Sequence, residues 1–158
     1  VEPDERRNAR GDLELRSGTL RNAGSLVASR ALEAKASQAL DNQGGSLKGA
    51  TVRVDGGHLD NRGGKIVGDS GLGITAPRVL NQDKGVIASR DGLRLSGTEL
   101  FNGNAGLLSS QRHIEVTLDG VLDNQGKGAL LSDGTLTVSA GRIHNQDATL
   151  SSAGALRL

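Results

Sequence analysis

The sequence predicts an all-β fold, a right-handed parallel β-helix of about seven coils, each 19–22 residues long. Three observations predict it. An asparagine returns at near-constant spacing along almost the whole chain. Aliphatic residues alternate in period two between the asparagines. The apolar side chains are almost all aliphatic: among 158 residues there are 24 glycines, one aromatic residue (Phe101), and no Cys, Met, Trp or Tyr. A globular core draws much of its buried area from aromatic rings. Leu, Val, Ile and Ala alone suit a narrow, repetitive interior.

The asparagines set the register. Asn22, Asn42, Asn61, Asn81, Asn102, Asn124 and Asn145 stand 20, 19, 20, 21, 22 and 21 residues apart. Two residues before each lies an aliphatic side chain: Leu20, Leu40, Leu59, Val79, Leu100, Leu122 and Ile143. After each comes a small or glycine-rich turn and a further aliphatic residue, expected inward: Leu26, Leu47, Ile66, Val86, Leu107, Leu130 and Leu150. The rest of the repeat is a period-two pair, from Leu13 and Leu15 through Leu93 and Leu95 to Leu156 and Leu158. Alternation places one face inward and the other outward, which marks a strand. Each repeat therefore reads as three short strands joined by turns.

No repeat carries ten residues of helical periodicity, and glycine interrupts every segment. Leu32-Glu33-Ala34-Lys35-Ala36 has helical propensity but occupies a strand position. Three strands per repeat bury nothing alone, so they must pair with their equivalents in neighbouring coils. Coils then rise by about 4.8 Å, the ordinary inter-strand spacing. Repeats of 19 to 22 residues break the strict six-residue period of a left-handed helix. The calcium-binding nonapeptide of other β-rolls is absent.

The seven asparagines are the one polar residue present in every repeat. A carboxamide both donates and accepts. Stacked along the rod axis, the row becomes a structural ladder, with its members expected buried or half-buried. Asparagine also tolerates the left-handed backbone of tight turns.

Charge excludes some functions. Nineteen basic and eighteen acidic residues give a net charge of +1, so nothing favours a nucleic-acid partner. Without cysteine there is neither a disulfide framework nor a thiolate metal site. No stretch approaches the length of a membrane span. The sequence opens at Val1 without methionine and without an apolar signal segment, so it reads as an internal piece of a longer chain. Residues 1–10 read as a linker or irregular end, and 11–158 as the repeats.

Segments such as Leu40-Asp41-Asn42-Gln43-Gly44-Gly45-Ser46-Leu47, Leu59-Asp60-Asn61-Arg62-Gly63-Gly64-Lys65-Ile66 and Leu122-Asp123-Asn124-Gln125-Gly126 resemble filamentous haemagglutinin repeats. Seven in register, from about Gly11 to Leu158, carry the resemblance. It implies very large exoproteins of Gram-negative bacteria, secreted to the cell surface by two-partner secretion. These are filamentous adhesins and the toxin-delivery proteins of contact-dependent growth inhibition. The implied partners are adjoining repeats of the same chain and an outer-membrane transporter. The implied role is a stalk that projects a distal binding or toxin module.

Binding candidates are few. Arg10-Gly11-Asp12 is an Arg-Gly-Asp tripeptide at a turn, a sequence that can dock integrins. Leu80 and Phe101 place apolar side chains where other repeats carry a polar residue before Asn. An exposed apolar patch there is a candidate contact for a cell-surface receptor or glycan. Asp41 and Asp60 recur in adjacent coils, one strand spacing apart, close to the separation of a retaining glycosidase pair. With no aromatic platform for a sugar, an enzyme is not expected. His58, His113 and His144 fall at different phases of the repeat, so no two share a metal. No nucleophile elbow or phosphate loop is present, and no cofactor is expected.

Overall fold

The computed structural model describes residues 5–158, and among them there is no helix. The strands wind into a stack of coils, and every strand pairs parallel with its equivalent one coil away. Each coil has three sides. The first carries the alternating aliphatic pair, the second ends at the asparagine, and the third follows the glycine-rich turn. Register follows the repeat throughout. Leu40 faces Leu59, Leu59 faces Val79, Leu100 faces Leu122, and Leu122 faces Ile143.

Pleat and register together make the core. On the first side Leu32, Val52, Leu72, Leu93, Ile114 and Leu136 lie in one interior column, all buried. Their neighbours two residues on, Ala34, Val54, Ile74, Leu95, Val116 and Val138, form the next column. Because each buried side chain stacks on others like it, small aliphatic groups fill the interior without aromatic rings. Leu32, Ala34 and Ala36 are 1%, 0% and 1% exposed within the strand Ala31–Asp41. Helical propensity there yields to the pairing on either side.

The stack comprises about eight turns rather than seven. The additional row begins with the strand Arg6–Ala9, which pairs in parallel with Ser25–Ala28. It lies within the segment read as a linker or irregular end, of which residues 1–4 fall outside the described residues. Backbone hydrogen bonds build this strand without an apolar signature, and three of its four residues are exposed.

Two expected interior residues face the other way. Val86 and Leu107 are only half-buried, while Ile87 and Leu108 are fully buried. The turn explains it. After Asn42, Asn61 and Asn145 the turn holds one left-handed residue, Gly44, Gly63 or Asp147. After Asn81, Asn102 and Asn124 it holds two, Asp83-Lys84, Asn104-Ala105 and Gly126-Lys127. One added residue flips every following side chain to the opposite face. The longer turn therefore turns Val86 outward and sends Ile87 into the core.

Candidate functional site

The asparagine row runs the length of the rod. Each Nδ2 donates to Oδ1 of the next asparagine: Asn22 to Asn42 (2.7 Å), Asn42 to Asn61 (2.7 Å), and Asn61 to Asn81 (2.8 Å). The row continues from Asn81 to Asn102, Asn102 to Asn124, and Asn124 to Asn145, each at 2.8 Å. The same nitrogen also donates to the carbonyl closing its own turn, as Asn61 does to Gly64 O at 3.4 Å. It donates again to a carbonyl of the next coil, as Asn61 does to Val86 O at 3.1 Å. Asn22 to Asn124 are buried and Asn145 is half-buried. Every bond points the same way, so the ladder has a donor end and an acceptor end. At the acceptor end Asn22 Oδ1 is buried, with no hydrogen-bond partner among the described residues.

The glycine that closes the turn belongs to this ladder. A Cβ on Gly64 would lie 2.2 Å from Asn42 O and 2.6 Å from Asn61 Oδ1. Gly45, Gly85, Gly106 and Gly128 meet the same obstruction from the preceding coil's asparagine carbonyl. Glycine stands there because the asparagine carboxamide and the neighbouring coil fill the space. Composition alone signals a flexible turn and hides this contact.

Arg10, Gly11 and Asp12 lie at the turn between the strands Arg6–Ala9 and Leu13–Arg21. Arg10 and Asp12 are exposed. Asp12 is engaged: its Oδ1 accepts the Ala31 backbone N–H at 3.2 Å, and its Oδ2 accepts from Arg30 Nη2 at 3.3 Å. An ion pair of the same kind recurs four coils on, where Arg112 Nε lies 3.6 Å from Asp91 Oδ1. The Asp12 carboxylate thus bridges one coil to the next.

Asp41 and Asp60 face each other in register, and each is bound within its own turn. Asp41 Oδ1 accepts Gln43 N–H at 3.0 Å, and Arg21 Nε lies 3.7 Å from Asp41 Oδ2. Asp60 Oδ1 accepts Arg62 N–H at 3.2 Å, and both its oxygens accept from the Arg62 guanidinium. The Asp60 carboxylate raises the Arg62 guanidinium above its ordinary value, first through those hydrogen bonds and then through charge. Asp123 repeats the turn, with Oδ1 accepting Gln125 N–H at 3.2 Å. The acid before each of these asparagines folds the turn locally.

Leu80 and Phe101 are paired neighbours, both half-buried, and Arg78 lies over the Phe101 ring, 5.2 Å from its centroid. Among the described residues the exposed large apolar side chains are Leu131, Leu156 and Leu158. Arg78 also approaches Glu99, its partner in the next coil, at 3.7 Å. His58 is exposed, and His113 and His144 are half-buried. Among the described residues no group of three or more His, Cys, Asp or Glu could hold a metal ion.

The haemagglutinin repeat family matches residues 8–126 and 115–158. The chain is similar to the deoxyribonuclease CdiA of Dickeya dadantii (strain 3937). The two are 33% identical over 184 aligned positions, which cover 93% of this chain and 5% of that protein. It is also similar to the toxin CdiA of Yersinia pestis, at 31% identity over 126 positions, covering 78% of this chain and 4% of that protein. The chain thus spans about a twentieth of the length of these relatives. No solved structure matches it.

Proposed function

The chain belongs to the haemagglutinin repeat family, and from that membership we propose that it is a stalk segment of a long secreted exoprotein at the Gram-negative cell surface. Its work is mechanical. It holds distance between the cell and a distal binding or toxin module. The observation that carries this reading is the unbroken ladder from Asn22 to Asn145 beside an unbroken aliphatic core. Both features recur in each coil, and neither offers a site made by one coil alone. Eight rows at the ordinary strand spacing give a rod roughly 35 Å long, and adjoining repeats of the same chain extend it.

The words deoxyribonuclease and toxin, which name the relatives, describe proteins of which this chain matches a twentieth or less. Its best-placed carboxylates, Asp41 and Asp60, already accept backbone N–H groups and pair with arginines. A non-catalytic role fits that arrangement. A second reading, adhesion by the segment itself, draws on Leu80 and Phe101, the two apolar side chains that interrupt the column holding Asp41, Asp60 and Asp123.

The test removes residues 42–80 from the parent protein, which deletes two coils and rejoins Asp41 to Asn81 in register. A passive stalk keeps surface display and the distal activity while the filament shortens by two rungs. Loss of target-cell binding at undiminished display would favour the adhesive reading and defeat the passive one.

A further inference from the structure

We propose that Asn102 is a spontaneous modification site that folding switches off, and whose product cannot rejoin the ladder. Asn102-Gly103 is the one Asn–Gly pair among nine asparagines. Asparagine is chemically labile, and a following glycine carries no side chain to hinder approach of its nitrogen. In an unfolded chain the Gly103 nitrogen can attack Asn102 Cγ. A new N–Cγ bond closes a five-membered imide, and the Cγ–Nδ2 bond breaks. The nitrogen leaves as ammonia, taking the proton that Gly103 gives up. Water then opens the imide at either carbonyl. One product is an aspartyl residue. The other is an isoaspartyl residue, whose main chain is longer by one carbon.

The fold blocks each step. Asn102 is 0% exposed and Gly103 is buried. Asn102 Oδ1 accepts from Asn81 Nδ2 at 2.8 Å. Its Nδ2 donates to Asn124 Oδ1 at 2.8 Å and to Gly106 O and Ala129 O at 3.1 Å each. Attack on Cγ must break these four bonds in a place water does not reach. Asn104, two residues on, is exposed but is followed by alanine.

The product meets the same surroundings in reverse. A carboxylate at position 102 has no hydrogen to donate, and three of its neighbours are acceptor oxygens. It also places a charge where the chain is fully buried. The isoaspartyl form adds a backbone atom next to a turn whose length sets which side chains face inward. Time spent unfolded is therefore recorded at one residue and excludes the chain from the rod.

The test incubates the whole chain in mildly alkaline buffer, with and without urea, and follows conversion of each asparagine by mass spectrometry of its peptides. Conversion at Asn102 in urea should exceed that at every other asparagine. Without urea it should slow by more than about tenfold, as expected of a group reached only through opening. A chain bearing Asn102→Asp should unfold at lower denaturant than the parent or fail to fold, while Asn8→Asp, at an exposed position of the strand Arg6–Ala9, matches the parent. Equal rates with and without urea, no excess at Asn102 in urea, or an unchanged midpoint for Asn102→Asp would each overturn the proposal.

Discussion

Asn61 Nδ2 donates to Asn81 Oδ1 at 2.8 Å across the boundary between two coils, twenty residues apart in sequence. Both residues are fully buried. Replacing Asn61 by alanine removes that donor and also the acceptor used by Asn42 Nδ2. Unsatisfied buried polar groups cost about 1–3 kcal/mol each, so Asn61→Ala should lose at least that much stability. Asn145→Ala, at the half-buried end, should lose less. Denaturant unfolding followed by circular dichroism compares the two.

Glycines at different places in the coil should respond oppositely to alanine. Gly64→Ala drives a methyl group into Asn42 O and should cost about 1–3 kcal/mol, as overpacking does. Gly73 has open space where a Cβ would be. Gly73→Ala should be neutral or stabilise by up to about 1 kcal/mol, because it restricts the unfolded chain. Unfolding midpoints of the two variants, measured side by side, test the pair.

Leu95 is 0% exposed in the middle of an interior column. Leu95→Asp introduces an unpaired charge among aliphatic side chains and should cost roughly 4 kcal/mol or more. Loss of the β signal in circular dichroism is expected. A folded variant would contradict the inward assignment of the first side.

Asp12 already holds the Ala31 N–H and the Arg30 guanidinium. At this exposed position Asp12→Ala should cost about 1 kcal/mol or less. Binding of the labelled chain to epithelial cells should be the same with Asp12→Glu as with the parent. Saturable binding lost in that variant would restore the Arg-Gly-Asp turn as a receptor site.

Glu33 accepts from Lys35 at 2.9 Å, and that bond holds its carboxyl below the ordinary glutamate value of 4.5, with smaller help from the charges of Lys35, Arg53 and Arg16. The folded value is depressed, so the contribution to stability is full above about pH 4.5 and fades as pH falls through the lower folded value. The side-chain carboxyl resonance of Glu33 should titrate below 4.5 in the parent and move back toward it in Lys35→Ala.

The coil was readable from the sequence because its two signals are local. Period-two alternation identifies strands, and the asparagine spacing fixes which residues must pair, as Leu40 with Leu59 and Leu59 with Val79. The turns were less readable. Whether Val86 or Ile87 points inward depends on one extra left-handed residue, and Lys84, which takes that conformation beside Asp83, carries no preference for it. The first row leaves no trace in the sequence because Arg6–Ala9 is held by backbone pairing and has no apolar pattern.

By itself, then, the sequence determined the repeating strands from Leu13 onward, which of them pair, and an apolar core made of aliphatic groups, since each follows from the order and spacing of side chains along the chain. The tertiary structure alone decided which atoms the polar groups meet. It gave the ladder one direction from Asn22 to Asn145. It also filled the space beside Gly64 with a neighbouring coil's carbonyl and turned the Asp12 carboxylate onto Ala31. Those outcomes depend on atoms about twenty residues away, brought within hydrogen-bonding distance only when one coil lies upon the next.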